Sequence, residues 1–192
     1  MTRIIGGAAK GRVLQVPKKG TRPTSDMVRE ALFSLLESQW GSLAGLAVLD
    51  LYAGSGALGL EAISRGASRA VLVEANRQAA AAAQNNQLQV LRGATAPVPT
   101  VKVIRAKVET WLAAHWPGER FDLVFLDPPY QLTSQALDQV LAALANSSLL
   151  ANQASVVVER SSRTEPPTWP ASWQVQEQRN YGETTIHLAC AE

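Results

Sequence analysis

The sequence predicts an α/β fold in which a doubly wound, mostly parallel sheet carries helices on both faces. From residue 46 onward, short apolar segments of strand character alternate with segments of helical periodicity. A glycine-rich turn joins the first of these strands to its helix, and the pattern finishes with two strand-like segments about an Asn-Tyr-Gly turn. Repeated strand–helix units require right-handed parallel crossovers, so the expected fold is Rossmann-like with an antiparallel terminal hairpin.

Size and composition bound the class of protein. The chain has 192 residues, 46% of them apolar and 18% charged, which is typical of one globular domain with a buried core. No apolar run approaches the roughly 20 residues that cross a bilayer, and the first residues show no signal pattern, so we expect a soluble, cytoplasmic protein. One cysteine, Cys190, and two separated histidines give neither an internal disulfide nor a ligand cluster, so no metal is expected.

Residues 1–24 are predicted to form a basic N-terminal arm, and residues 25–192 a single globular unit. Two strand-like segments, 3–5 and 12–16, flank a glycine-rich turn, which indicates a β-hairpin. Such a basic block suits phosphate contacts and therefore RNA binding, although a basic terminus is often only solvated. Six cations precede the first acidic residue of the chain: Arg3, Lys10, Arg12, Lys18, Lys19 and Arg22.

A helix is predicted to follow Pro23. Thr24, Ser25 or Asp26 can cap its first turn, because short polar side chains accept hydrogen bonds from the unpaired amides there. Its apolar residues recur at helical spacing, so this helix is predicted to pack on the sheet. They are Val28, Leu32, Leu35 and Leu36.

The remaining elements are predicted in order along the chain. Strands are expected over residues 47–51, 69–74, 101–104, 121–126 and 155–159. Helices are expected over residues 58–65, around the alanine run 79–83, over 108–114 and over 135–145. A final hairpin is expected from segments 173–179 and 183–189, and residues 92–100, with two prolines, are predicted to be a surface insertion.

The turn after the first strand carries a complete Gly-x-Gly-x-x-Gly pattern. This pattern between a strand and a helix is the fingerprint of dinucleotide binding, and Glu74 ends the next strand where the fingerprint expects a ribose-binding carboxylate. Asp50 argues against a nicotinamide cofactor, because a carboxylate at this strand tip would repel a pyrophosphate. S-adenosylmethionine has no phosphate and carries two cationic groups, so it fits the same acids.

We therefore predict an S-adenosylmethionine site at these strand tips, with S-adenosylhomocysteine as the product. Glycines let the backbone approach the ligand, and Glu74 can accept both ribose hydroxyls. The third strand ends in Arg105-Ala106-Lys107 and lacks the acidic adenine contact common there, so the adenine is expected to meet the backbone or apolar atoms near Ala106. The predicted cofactor-binding residues are Asp50, Tyr52, Gly54, Ser55, Gly56, Glu74 and Ala106.

The tetrapeptide Asp127-Pro128-Pro129-Tyr130 follows the fourth predicted strand and is the candidate catalytic loop. A ring-conjugated amino group is a poor nucleophile, and acceptors that bind its N–H bonds favour the tetrahedral form that attacks a methyl group. Asp127 can accept one N–H and the carbonyl of Pro128 the other, while Pro129 stiffens the turn. Tyr130 offers a face on which an extruded base stacks. Asp-Pro-Pro is also an ordinary way to end a strand, and Tyr130 could be a packed lid.

Several motifs together carry a resemblance to a known family. They are the basic hairpin, Thr21-Arg22-Pro23-Thr24, residues 28–33 (Val-Arg-Glu-Ala-Leu-Phe), residues 49–56 (Leu-Asp-Leu-Tyr-Ala-Gly-Ser-Gly), Asp127-Pro128-Pro129-Tyr130 and Tyr181-Gly182-Glu183. On these motifs the chain resembles the bacterial RsmD family of ribosomal RNA guanine-N2 methyltransferases over nearly its whole length. The resemblance implies a class I methyltransferase with a seven-stranded sheet.

The resemblance also implies a substrate and partners. The methyl group would go to the exocyclic N2 of a guanine in small-subunit (16S) ribosomal RNA, guanine 966 in the family, within a particle already carrying ribosomal proteins. It implies that residues 22–24 sit over the site, and we expect a monomer. The long 92–100 insertion and Ala106 depart from the family pattern and put the adenine contact in doubt.

Other functions stay open at this point. Methylation of adenine N6 or cytosine N4 in DNA uses the same catalytic loop, but sequence-selective enzymes of that kind usually carry a separate recognition region, for which few residues remain after Tyr130. A structured RNA particle can instead be recognised by its shape, without a separate recognition region. An NAD-dependent oxidoreductase is a distant alternative, and a non-catalytic RNA-binding module is disfavoured by the intact Asp127.

Overall fold

The computed structural model describes residues 2–17, 25–114 and 117–192 of the chain. Within these ranges it contains a two-stranded hairpin and a seven-stranded sheet with helices on both faces. The elements in chain order are β1 (Thr2–Arg3), β2 (Val13–Leu14), α1 (Asp26–Trp40), β3 (Ala47–Leu51), α2 (Ala57–Ser64), β4 (Arg69–Glu74), α3 (Arg77–Leu91), β5 (Thr100–Arg105), α4 (Val108–Leu112), β6 (Phe121–Leu126), α5 (Ser134–Ala145), β7 (Leu150–Ser161), β8 (Gln174–Tyr181) and β9 (Thr184–Cys190).

The strand order of the large sheet is β5-β4-β3-β6-β7-β9-β8. The first five strands of this order are parallel, and β9 and β8 are antiparallel to their neighbours. The direction of winding reverses between β3 and β6, and the crevice above such a switch point is where open α/β sheets bind ligands. The predicted doubly wound, Rossmann-like sheet with an antiparallel terminal hairpin is confirmed.

The strands at the switch point have the bounds that the sequence predicts, whereas β7 is longer. It begins at Leu150, five residues before the predicted start. Its register against β6 shifts between Phe121 and Leu123, and Gln153 adopts a positive φ of 59°. The first residues of β7 are partly or fully exposed and include polar side chains, so they do not continue the apolar pattern of the rest of the strand. The sequence pattern therefore does not predict this first part of β7.

The helices divide between the two faces of the sheet. Helices α1, α2 and α3 share one buried core with the sheet, in which the rings of Phe33 and Phe125 lie 5.7 Å apart. Helices α4 and α5 share the other core, which contains Trp111 and Leu141. Among the three candidate caps of α1, Ser25 holds the position, and its side chain accepts a hydrogen bond from the amide of Val28. Among the described residues, no helix has the length and apolar character that crossing a membrane requires.

The N-terminal hairpin packs against α2. Glu61 is fully buried, and its carboxylate oxygens accept the amides of Ile5 at 2.8 Å and Gly6 at 2.7 Å. Arg65 pairs with the same carboxylate at 2.9 Å, which supplies the charge partner that a buried acid needs. The hairpin is therefore fixed to the main body, while the predicted boundary of the arm at residue 24 lies outside the described residues.

Candidate active site

A cavity of about 430 Å³ opens above the carboxyl ends of β3, β4 and β6. It brings together residues from the glycine loop, the end of β4 and the Asp-Pro-Pro-Tyr loop. In parallel strands these ends share one edge of the sheet, and Leu51 of β3 is paired with both Val73 of β4 and Leu126 of β6. The predicted site residues that line the cavity are Asp50, Tyr52, Gly54, Ser55, Glu74, Asp127, Pro128, Pro129 and Tyr130.

The carboxylate of Glu74 links two of these segments. One of its oxygens accepts the amide of Gly54 at 2.8 Å, and the other accepts the amide of Asn76 at 2.6 Å. A carboxylate offers about four acceptor positions, so both oxygens retain capacity toward hydroxyl donors in the cavity. Its backbone bonds hold this carboxylate in a fixed orientation at the wall of the cavity.

Asp50 is the most deeply buried acid of the cavity wall, with 1% of its surface exposed. Its Oδ2 accepts the amide of Gly59 at 2.9 Å, whereas its Oδ1 is buried and has no hydrogen-bond partner among the described residues. Burial raises the pKa of Asp50 to about 7, and the negative charge of Glu74 contributes in the same direction. A buried carboxylate with unused acceptor capacity would gain from a cationic ligand nearby.

Tyr52 adopts a backbone conformation that is unusual for a non-glycine residue, with φ at 63°. Its hydroxyl donates to Glu109 over 3.4 Å, and burial together with that carboxylate raises the pKa of the phenol. A large side chain in the left-handed region costs free energy that the surrounding contacts must offset, and such strain is often found at functional sites.

Gly56 and Ala106 do not line the cavity. Gly56 caps α2 with φ at 82°, and a Cβ there would lie 2.9 Å from the side chain of Leu72, so the helix approaches β4 closely only because this residue is glycine. The amide of Ala106 donates to the carbonyl of Glu74 at 3.2 Å. Its neighbour Lys107 lines the cavity instead.

The Asp-Pro-Pro-Tyr loop leaves β6 at the switch point. Asp127 is half-buried, Pro128 is buried, and Tyr130 is 62% exposed. The carbonyl of Pro129 accepts the amide of Leu132 at 2.9 Å, which closes the turn. Asp127 therefore lies in the cavity wall as a half-buried acid, and Tyr130 lies beside it as an exposed aromatic residue.

Arg160 is a cavity residue that the sequence analysis did not identify. It lies on β7, and one of its Nη atoms donates to the carbonyl of Leu132, just beyond the Asp-Pro-Pro-Tyr loop, at 3.0 Å. The only available signal was a cation at the end of the apolar run that forms β7. That signal is weak, because strands commonly end in charged residues at the surface.

The segment that follows β2 reaches the cavity from the N-terminal side, with Val16 and Pro17 in its wall. Asn86 of α3, which is fully buried, holds this segment. Its side chain exchanges two hydrogen bonds with the backbone of Gln15, at 2.7 and 2.9 Å, and donates a third to the carbonyl of Ser55 at 2.9 Å. The side-chain amide of Asn86 thus connects the N-terminal arm to the glycine loop.

The predicted RNA-binding cations differ in their surroundings. Arg3 is exposed and lies 3.6 Å from Asp26, and Lys10 is exposed. Arg12 instead donates to the carbonyls of Gln89, Val90 and Arg92 at the end of α3, where carbonyl groups lack helical partners. The structure thus gives Arg12 a role within the fold. Three further predicted cations, Lys18, Lys19 and Arg22, lie outside the described residues.

Comparison with known proteins gives consistent matches. A family model described as conserved hypothetical protein 95 matches residues 2–190. The ribosomal RNA small subunit methyltransferase D of Escherichia coli (strain K12) is 36% identical over 187 residues, covering 97% of this chain and 88% of the relative. The solved structure of the Escherichia coli protein yhhF has a TM-score of 0.82 at 36% identity, covering 100% of this chain and 98% of that one.

A more distant fold neighbour was solved with its cofactor bound. Magnesium protoporphyrin IX methyltransferase from Synechocystis PCC 6803, in complex with S-adenosylmethionine, has a TM-score of 0.64 at 16% identity. The match covers 86% of this chain and 79% of that one. At this identity the likeness concerns the fold.

Proposed function

The chain belongs to the conserved hypothetical protein 95 family, the RsmD family that its motifs resemble, and we propose that it is an S-adenosylmethionine-dependent methyltransferase of ribosomal RNA. The observation that carries the proposal is the shared cavity. A catalytic loop of the amino-methylating type and a glycine loop with two acids line one space at the switch point of the sheet. The relatives named as ribosomal RNA methyltransferases support the RNA substrate.

The wall of the cavity suits S-adenosylmethionine, which supplies a methyl group activated on a sulfonium. Asp50 has an unused buried acceptor atom, and Glu74 keeps acceptor capacity beyond its backbone bonds. Gly54 has a φ of 56°, and no atom lies within 4 Å of where its Cβ would be, so the backbone is open to a ligand on that side. An NAD-type pyrophosphate would instead face the buried carboxylate of Asp50.

Asp127 and the carbonyl of Pro128 are proposed to accept the two N–H bonds of the target amine. Accepting both bonds draws the nitrogen lone pair out of conjugation with the ring, which makes the nitrogen nucleophilic. As the carbon–nitrogen bond forms, the bond between the methyl carbon and sulfur breaks and S-adenosylhomocysteine is left; the nitrogen becomes cationic, and the carboxylate stabilises that charge until a proton passes to water. Tyr130, exposed at the rim, is proposed to stack against a base drawn out of the RNA.

The proposed target is the exocyclic N2 of a guanine in 16S ribosomal RNA, guanine 966, on an assembled or partly assembled small subunit. The resemblance of the N-terminal motifs supports this choice. The exposed cations Arg3 and Lys10 on the hairpin suit phosphate contacts, and we propose that the whole basic arm serves this purpose. Methylation of DNA at adenine N6 or cytosine N4 is the alternative reaction that the same loop supports.

One assay separates these substrates. The protein is incubated with labelled cofactor and, in parallel, small ribosomal subunits, naked 16S RNA and double-stranded DNA, and the methylated nucleoside is identified by mass spectrometry. We expect 2-methylguanosine from a ribosomal substrate and none from DNA. Methylated adenine or cytosine in DNA, or no methylation of any substrate, would refute the proposed function.

A further inference from the structure

Arg160 is a buried cation in the cavity wall, and no acid among the described residues forms a salt bridge with it. Only 6% of its surface is exposed, and its Nε is buried with no hydrogen-bond partner among the described residues. Its bond to the carbonyl of Leu132 uses one Nη atom, and the buried Nε–H remains for another acceptor. Burial lowers the pKa of its guanidinium, and Asp138 offsets this only in part. Leaving donors unused in a buried site is costly, which indicates a role for a ligand.

The position of Arg160 indicates which ligand it meets. The sheet runs β4, β3, β6, β7, and the glycine loop lies on β3 while the catalytic loop lies on β6. Val158 of β7 pairs with Leu126, the last residue of β6, so Arg160 lies two residues beyond the strand end that carries Asp127. It is therefore across the catalytic loop from the cofactor side, where the base to be methylated must enter.

The chemistry of the guanidinium group further limits which group of a ligand can contact Arg160. It offers donors only, so its partner must be an acceptor. A backbone phosphate stays at the surface of a structured RNA, whereas Arg160 is inside the cavity. Guanine carries the O6 carbonyl on the same edge as its N2 amine, and pairing of arginine with the acceptors of guanine is the commonest specific base contact in nucleic-acid recognition.

We propose that Arg160 determines specificity by donating to the O6 carbonyl of the guanine whose N2 amine lies at Asp127. This inference rests on the proposed function and adds a group that reads the base. Its bond to Leu132 would hold the guanidinium beside the catalytic loop, so that recognition and methyl transfer occur on one edge of the base. Adenine presents an amine at the position of O6 and would leave the donors of Arg160 facing donors.

The test replaces O6 without removing the amine that is methylated. The target guanosine, identified first by nucleoside mapping of the native reaction, is replaced in the ribosomal substrate by 2,6-diaminopurine riboside, which keeps the 2-amino group and carries an amine instead of O6. The ratio of kcat/KM for guanine to that for the analogue is measured for the native protein and for Arg160→Met. The control is Arg163→Met, three residues on, whose side chain is 82% exposed.

The native protein and the control are expected to prefer guanine by about 10–100-fold, the discrimination of one good base contact. In Arg160→Met the rate on guanine falls and the ratio drops to within about 3-fold of unity, because the group that distinguishes O6 from an amine is gone. A structural role at Leu132 alone would lower both rates and keep the ratio, which would overturn the proposal. Thermal unfolding checks that the variant is folded.

A replacement variant and the rates of the native protein also test the proposal. If Arg160→Met does not fold, Arg160→Gln takes its place, and the ratio is expected to fall toward unity, because an amide offers an acceptor as well as donors and can bond to either an O6 carbonyl or an amine. A native protein that methylates guanine and the analogue equally well refutes the role of Arg160 without any variant. A native protein that forms no 2-methylguanosine at all refutes the proposed function, and this inference with it.

Discussion

The carboxylate of Glu74 accepts the amide of Gly54 at 2.8 Å, so the end of β4 holds the glycine loop at the end of β3. The second oxygen of Glu74 accepts the amide of Asn76, which begins the turn into α3. Both oxygens thus face backbone donors. An acceptor-only side chain is required at this position, and the site would be disturbed by any group that presents an N–H there.

Glu74→Gln is accordingly expected to weaken cofactor binding. The amide nitrogen of glutamine must face either Gly54 or Asn76, and one donor is then left opposed to another. We expect the Kd of S-adenosylmethionine to rise by about 10–100-fold, the cost of losing a hydrogen bond to a charged group. Isothermal titration calorimetry measures it. Glu177→Gln on the outer strand β8 is the control, and an equal Kd in the two variants would contradict the role of Glu74.

Asp127→Ala is expected to fold, to bind S-adenosylmethionine and to lose most of its methyl transfer. The carboxylate is proposed to act only on the amine, so its loss should lower kcat by about 100-fold or more with little change in cofactor affinity. Transfer of labelled methyl to ribosomal substrate measures the rate. Glu165→Ala, an exposed acid after β7, is the control. Near-native turnover in Asp127→Ala would refute the assignment of the catalytic loop.

Cofactor affinity is expected to depend on pH through Asp50. The pKa of this carboxyl is raised to about 7, so it is neutral at pH 5.5 and mostly ionised at pH 7.5 in the cofactor-free protein. The ionised form attracts the cationic cofactor, and the affinity should therefore rise by roughly 10–30-fold over this interval. In Asp50→Asn the titrating group is absent and the affinity should vary little. A native affinity that is flat across the interval would contradict this prediction.

The same shift predicts an opposite trend in stability. A carboxyl whose pKa is raised by folding stabilises the cofactor-free protein fully below its unfolded value near 4, and this contribution is lost as the pH rises through about 7. Cofactor-free Asp50→Asn, which has no charge to bury, should therefore have a higher Tm than the native protein at pH 8. Differential scanning calorimetry measures this, and a lower Tm for the variant would contradict it.

The bridge formed by Asn86 predicts a large difference between two neighbouring variants. Asn86→Asp replaces the donor that faces the carbonyls of Gln15 and Ser55 with a buried negative oxygen, and should lower the free energy of unfolding by about 2–5 kcal/mol. Asn85→Asp changes an exposed side chain next to it and should cost less than about 0.5 kcal/mol. Urea unfolding measures both. Equal values for the two would show that the bridge contributes little to stability.

The exposed cations of the hairpin should contribute to the salt dependence of RNA binding. Arg3→Gln combined with Lys10→Gln removes two charges without touching the bonds of Glu61 or Arg12. If both cations contact phosphates, the slope of log K against log salt should flatten by roughly 1.4–1.8, since each contact releases less than one counterion. Filter binding from low to moderate salt measures the slope. An unchanged slope would exclude these two residues from the RNA interface.

Local patterns predicted the switch point of the sheet well. The strands β3, β4 and β6 are mostly apolar segments, and each has an acid or a proline at or just after its end: Asp50 in β3, Glu74 in β4, and Asp127-Pro128 directly after β6. The apolar pattern and these residues therefore agree on where each strand stops. Parallel strands place these ends at one edge, which is why residues far apart in sequence were expected to meet and do line one cavity.

The residues that the sequence pattern did not identify are buried by contacts with segments that are distant in the chain. Glu61 and Asn86 are polar residues inside helices, where solvent exposure is the ordinary expectation, and both are fully buried against the N-terminal segment. Their partners in the N-terminal segment lie more than 50 residues away in sequence, so no local period reveals these contacts. Arg12 was predicted on charge alone to bind RNA, and its position at the end of α3 depends on how the hairpin docks.

The arrangement of the terminal hairpin has a consequence for how the chain reaches its fold. The strand β9 is made after β8, yet it lies inside it, against β7. While the nascent polypeptide stops short of residue 184, the edge of β7 that pairs with β9 has unpaired backbone groups, and β8 lacks the strand with which it pairs. Vectorial synthesis therefore leaves this sheet edge open until residues 184–190 have been made, and this edge is where self-association of incomplete chains would begin.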